Sequence, residues 1–408
     1  MRKHNGALWN TLGSAIYGLN SFIMLMMVSR FGTVEEAGVF GIAFTTAQLL
    51  YIVGLLGVSH YQMTDYKKKY CFADYKKLRY LSCILMLAVC LISIMVLRFT
   101  KEKSLLTILL SIFMLLNVVG DLYQNLFFQN NRLDLSGSAL FFRTLWPLIV
   151  FCFTLVLTGQ LVLALVLQIL CNLVTTGYYI KKVAPAFLQK EPAHSEEGCT
   201  PKTLLLECLP LFASVLLMNF VINASKYGIE FLLNDTAQGY YNMVFMPAQV
   251  INLCSQFIFK PMLNQYAKLL ETKQIAQFRK VLVKQMGLVA GFTVFCCIGA
   301  WLLGAPVLGL LYQKDLTAQV VPLIWIVFGG GIFAACQLFY YIFVIMRQQR
   351  DISYIYIFAT VVSIPITYGL VNGMGITGAA ISFSVVHIII LAAYSILFLR
   401  NIRKVNIK

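Results

Sequence analysis

Apolar residues in this chain fall in blocks of about 20 residues with few charges, separated by short polar connections. A helix of that length crosses a hydrocarbon core of about 30 Å. Blocks lie at about 8–30, 37–59, 80–98, 104–128, 136–157, 160–180, 203–227, 237–259, 285–304, 318–345, 352–371 and 376–399. The pattern predicts an all-α, polytopic membrane bundle of about 12 transmembrane helices, with no room for a soluble catalytic domain. The first block follows Arg2 and Lys3, but it is too long for a signal peptide and has no small-residue cleavage site. It is read as a retained helix.

The longest connection, about 181–202, carries Lys181, Lys182, Pro185, Glu191, Pro192, Glu196, Glu197 and Pro201 without apolar periodicity, which reads as a flexible linker. It divides the chain into an N-terminal six-helix lobe (1–182), a cytoplasmic linker (183–202) and a C-terminal six-helix lobe (203–408). Residues 38–48 set against 239–249 match at Gly38/Gly239, Phe44/Phe245, Ala47/Ala248 and Gln48/Gln249. The offset is almost half the chain and points to an internal duplication. Six spans per half make the repeats parallel, related by a pseudo-two-fold axis along the membrane normal.

Composition agrees with lipid as the solvent: 60% of residues are apolar and 12% charged, against roughly 45–50% and 25% in soluble domains. The net charge of +16 is concentrated in the connections, so anionic headgroups rather than nucleic acid are the expected partner. With the N-terminus inside, 26 of the 32 basic residues fall in cytoplasmic segments and six, Arg30, Arg98, Lys101, Lys103, Lys226 and Lys314, in external loops. That asymmetry supports an even number of spans in a bacterial cytoplasmic membrane with both termini cytoplasmic.

Several function classes are disfavoured. There is no Gly-Lys dipeptide, hence no phosphate-cradling loop for direct ATP hydrolysis. External loops are short, and His4, His60, His194 and His387 are scattered, which argues against catalysis. Nine of the eleven cysteines lie in apolar blocks, with Cys71 and Cys199 in loops and no C-x-x-C pair. Neither a metal site nor a disulfide framework is expected, nor any cofactor beyond a coupling H+ or Na+.

A charge inside a span needs a reason, because it costs from about 2.5 to more than 10 kcal/mol near the bilayer centre. Arg30 ends the first span and Lys226 ends the seventh, its counterpart in the second half. They could snorkel to outer headgroups, or form a cationic pair facing a cavity between the halves, suited to phosphate. Asn219, Asn223 and Glu230 lie on the same helix face as Lys226, which favours the cavity. Asp121, with Asn117, Gln124 and Asn125 about a turn away, is either an ion carrier or the partner of a basic residue on another helix; Glu230 is the second ion-coupling candidate. Gln48, Gln249 and Asn252 suit sugar hydroxyls, although amides also join helices to one another. His387 reads as a packed imidazole. Pro147, Pro210, Pro247, Pro365 and the run Gly329-Gly330-Gly331 permit bending and close packing.

Four motifs then stand in order along the chain. They are Ser29-Arg30-Phe31-Gly32 with Glu36-Ala37-Gly38-Val39-Phe40; Asn223-Ala224-Ser225-Lys226-Tyr227 with Gly239-Tyr240-Tyr241, Phe245-Met246-Pro247 and Phe259-Lys260-Pro261; Pro306-Val307-Leu308; and Gly375 with Gly378-Ala379-Ala380. This set resembles the Wzx-type flippases of polysaccharide repeat units, within the multidrug/oligosaccharidyl-lipid/polysaccharide exporter superfamily. The resemblance implies a V-shaped, two-lobed bundle that flips undecaprenyl-diphosphate-linked oligosaccharide for capsule, O-antigen or exopolysaccharide synthesis, beside a polymerase and glycosyltransferases. Arg30 and Lys226 would then contact diphosphate or acidic sugar, and the amides hydroxyls. A lipid II flippase of the same superfamily would be expected to have two further helices. An ion-coupled exporter of small cations would be expected to have an acid in the first helix.

Overall fold

A computed structural model describes all residues except Met1, Tyr66, Lys190, Ala193, His194, Glu197, Lys273 and Lys408, and describes the backbone alone for 2–5, 257–258, 260–261, 264 and 402–407. His194 and Glu197 of the expected linker thus lie outside the described residues, as do the side chains of His4, Lys260 and Pro261. Among those described, every regular element is helical: α1 (Arg2–Phe31), α2 (Val34–Leu55), α3 (Val58–Thr64), α4 (Phe72–Val96), α5 (Lys101–Gln129), α6 (Leu133–Thr158), α7 (Leu161–Tyr178), α8 (Pro185–Leu188), α9 (Pro201–Leu232), α10 (Asp235–Glu271), α11 (Ile275–Gly299), α12 (Ala305–Tyr312), α13 (Val320–Ile345) and α14 (Gln349–Ile407).

Among the described residues, ten stretches are long and apolar enough to cross a membrane. One of them, Gln349–Asn401, is two spans, because Gly375 takes φ 57 and ψ −132 in its middle. The 37-residue α10 completes twelve. Several helices run beyond the apolar blocks, since a backbone already in helical register continues while its side chains turn polar.

Two compact units divide the chain, 1–216 and 217–408. In the first, α1 packs along α6, α2 along α5, and α7 against both α5 and α6. Small residues let α1 and α6 approach: a β-carbon on Gly13 would lie 2.7 Å from the Gly137 carbonyl, and one on Gly137 would collide with the backbone of Asn10. In the second unit α13 is central and carries α10, α11 and α14 around it. Its three successive glycines explain how. Gly329 meets Phe383 and Ser384, Gly330 meets Ala248, and Gly331 meets Thr293, so each glycine admits a different neighbouring helix.

The family-like motifs have local causes. Thr33 and Glu36 form a capping box at the start of α2: the Glu36 N–H donates to Thr33 Oγ1 at 3.1 Å, and the Thr33 N–H to Glu36 Oε2 at 2.6 Å. Asn234 caps α10 by a single bond, its Oδ1 accepting from the Ala237 N–H at 2.9 Å. The expected second span is broken, since Leu56 and Gly57 take positive φ between α2 and α3.

The connection expected to be a flexible linker is instead docked on the first unit at its described residues. A π-helical turn (Tyr179–Val183) leads to the buried Ala184. Beyond it, Glu191 pairs with Lys68 at 2.6 Å, and Ser195 accepts from the Cys71 N–H at 2.7 Å. The pattern hid this because the contacts are polar and single, not periodic.

Candidate functional site

The break after α2 frees the carbonyls of Gly54 and Leu55, and Arg79 from α4 takes them, donating through Nη1 at 3.1 and 3.3 Å. A guanidinium at a helix C-terminus also meets the negative end of the macrodipole. Its Nη2 donates to Ser59 Oγ at 2.9 Å and to Asp121 Oδ2 at 3.2 Å. Ser59 and Asn125 donate to the same carboxylate oxygen, Asn125 at 3.1 Å. Asp121 is thereby paired with a basic residue on another helix.

A second guanidinium lies close by. Arg143 of α6 is 3% exposed and crosses Gly120 of α5, where a β-carbon would collide with its Nη1. It donates to Gln124 Oε1 at a long 3.4 Å, and its Nε has no partner. The hydroxyls of Tyr17 and Tyr51 bond one another nearby. Arg79 holds the ion pair with Asp121, and the second guanidinium leaves a positive charge inside a bundle of membrane-spanning helices. Such a charge costs free energy unless an anion joins it.

Arg143 was missed because the orientation count placed it with Arg132 in a cytoplasmic segment, although it falls within the expected fifth span. Pro147 was the available signal: four residues on, it cannot donate to the Arg143 carbonyl, so α6 is irregular at that point.

In the second unit Lys226 is 6% exposed, with Nζ 4.6 Å from the centroid of Phe245, a cation–π contact. Asn223 donates to the Asn219 carbonyl at 2.9 Å, within its own helix, and Ser225 bonds Tyr241 at 2.7 Å. Asn219 and Glu230 are half-buried on the same helix as Lys226. Asn252 is half-buried with an unpartnered Oδ1, whereas Gln249 is exposed. His387 is packed, its Nδ1 2.7 Å from the Phe383 carbonyl and its ring against Phe333 and Phe383.

In the first unit Arg30 and Gln48 are half-buried. No cluster of three metal-ligating side chains occurs among the described residues, and all eleven cysteines are free.

The fold is a polytopic helical bundle of a kind seen in solved membrane transporters. Similar structures include the lipid II flippase MurJ in an inward closed conformation (TM-score 0.71, 12% identity, 98% of this chain and 90% of that one). They also include an inward-facing multidrug-resistance MATE transporter of the MOP superfamily (0.66, 14%, 95% and 94%) and the Vibrio cholerae MATE transporter VcmN in its bent form (0.61, 14%, 99% and 98%). More particularly, the family model described as polysaccharide biosynthesis protein matches residues 4–266, and the chain belongs to that family. No curated protein matches it by sequence.

Proposed function

We propose that this protein flips undecaprenyl-diphosphate-linked oligosaccharide across a bacterial cytoplasmic membrane by alternating access, and that it is not an enzyme. The observation that supports this reading is the buried Arg143, which has no carboxylate of its own beside it. A diphosphate or acidic sugar would supply the missing charge through charge-assisted hydrogen bonds. On this reading Arg30 in the first unit and Lys226 in the second each offer a cation to anionic groups of the cargo, while Asn219, Asn223, Gln48, Gln249 and Asn252 offer hydrogen bonds to sugar hydroxyls. An exporter of small cations needs buried acids in excess, and the Arg79–Asp121–Arg143 cluster has the opposite balance.

Asp121 and Glu230 are the candidates for coupling to H+ or Na+. The termini face the cytoplasm, where glycosyltransferases deliver the substrate, and a polymerase consumes it on the other side. In a cell lacking the gene, an impermeant sugar-labelling reagent applied to protoplasts tests the proposal. Lipid-linked units stay shielded in the deletion and with Arg143→Met, and become labelled with wild type. Labelling in the deletion equal to wild type overturns it.

A further inference from the structure

Helix α9 belongs to both units, because the boundary between them falls at Leu216–Leu217 inside it. Its first turns bury Leu204 and Cys208 in a core with Leu56 and Val58, and its last turns place Val221 in the core of the second unit. Between these ends Pro210 cannot donate to the Leu206 carbonyl. Ser214 Oγ donates to the Pro210 carbonyl at 2.9 Å, a side-chain bond of the kind that bends helices.

On the N-terminal side of Pro210 the chain is fastened at three points. Glu191, 6% exposed, accepts from Lys68 at 2.6 Å and Asn130 at 3.1 Å. Ser195 joins the Cys71 N–H to Asp74, and the Glu196 N–H donates to the Lys69 carbonyl at 3.0 Å. Glu207 accepts from Lys69 at 3.2 Å, from Tyr70 at 3.3 Å and from Tyr61. The receiving loop is itself built. Asp65 accepts the N–H groups of Lys69 and Tyr70 and the hydroxyl of Tyr75 at 3.0, 3.2 and 2.8 Å. One exposed ion pair would not hold such a segment, but two backbone bonds and a buried carboxylate add to it.

We propose that the described residues of this stretch, Glu191, Ser195, Glu196 and Glu207 foremost, form a fixed clasp that makes the connection and the first turns of α9 part of the first unit. Displacement of the units relative to one another is then taken up inside α9, over Pro210–Leu217, and not in the connection. This inference does not depend on the identity of the cargo.

Hydrogen–deuterium exchange on the full chain in nanodiscs tests it. Peptides covering Cys71 and Glu196 exchange about tenfold or more slower than the Lys314 loop, and within α9 exchange is fastest at 211–217. Glu191→Ala with Ser195→Ala accelerates both clasp peptides together and leaves α5 unchanged, while Pro210→Ala slows 211–217 alone. Wild-type exchange at Glu196 as fast as in the Lys314 loop overturns the proposal. So does uniform protection along α9.

Discussion

Arg79 and Asp121 form an ion pair at 3.2 Å in the first unit, and that pairing leaves Arg143 with no carboxylate to itself. One guanidinium is spent on structure, since it also caps the broken end of α2. The other is held at cost inside the bundle.

The two arginines should therefore respond oppositely to removal. Arg79→Met leaves the Asp121 charge without its cation and the Leu55 carbonyl without its guanidinium donor, and should destabilise the protein by about 3–5 kcal/mol, with partial recovery on adding Asp121→Asn. Arg143→Met should leave stability unchanged or raise it by about 1–4 kcal/mol, because it removes a charge that nothing fully compensates. Thermal unfolding of the purified variants in detergent checks both signs. A loss of stability in Arg143→Met as large as in Arg79→Met contradicts the assignment.

Gly120→Ala places a methyl where Arg143 Nη1 lies. Because the atom displaced is the far end of a flexible side chain, the fold should survive at a cost of about 1–3 kcal/mol. Substrate translocation should fall with it, as the guanidinium moves away from Tyr17 and Tyr51. Retained translocation in a folded Gly120→Ala protein counts against the site.

The glycine run of α13 makes a sharper structural prediction. Gly331→Val should abolish monodisperse protein, because the added side chain meets Thr293 of a packed neighbouring helix and not a movable end. Gly331→Val combined with Thr293→Gly should recover part of the yield, measured by size-exclusion chromatography.

Most of the bundle was legible because lipid imposes one rule on every span, a helix of about 20 apolar residues. Gly375 and Gly329–Gly331 could also be seen, though not that each glycine of the run faces a different helix, which depends on packing. The break at Leu56–Gly57 was not legible: both residues are apolar and sit within an apolar block, so hydropathy is unchanged while the backbone turns. Arg143 was visible as a charge and misassigned as a loop residue. The docked connection was hidden because its contacts join segments more than 100 residues apart, through single side chains.

Lys69 supplies a pH dependence outside the spans. Its hydrogen bond to Glu207 raises its pKa above the ordinary lysine value. A raised cationic pKa stabilises below the unfolded value and is lost as pH rises through the folded one. The bond at Glu207 should thus persist at neutral pH and open in alkali, and Lys69→Met should remove that alkaline dependence of exchange in the 191–207 segment.

The most direct measurement of the central claim is translocation of a fluorescent undecaprenyl-diphosphate oligosaccharide in proteoliposomes holding purified protein, followed by quenching with an impermeant reductant. Wild type should render the inner-leaflet label accessible, and Arg143→Met should be slower by about 100-fold, a loss of roughly 2.7 kcal/mol in anion recognition, with its fold intact. Equal rates for wild type, Arg143→Met and protein-free liposomes would contradict the account.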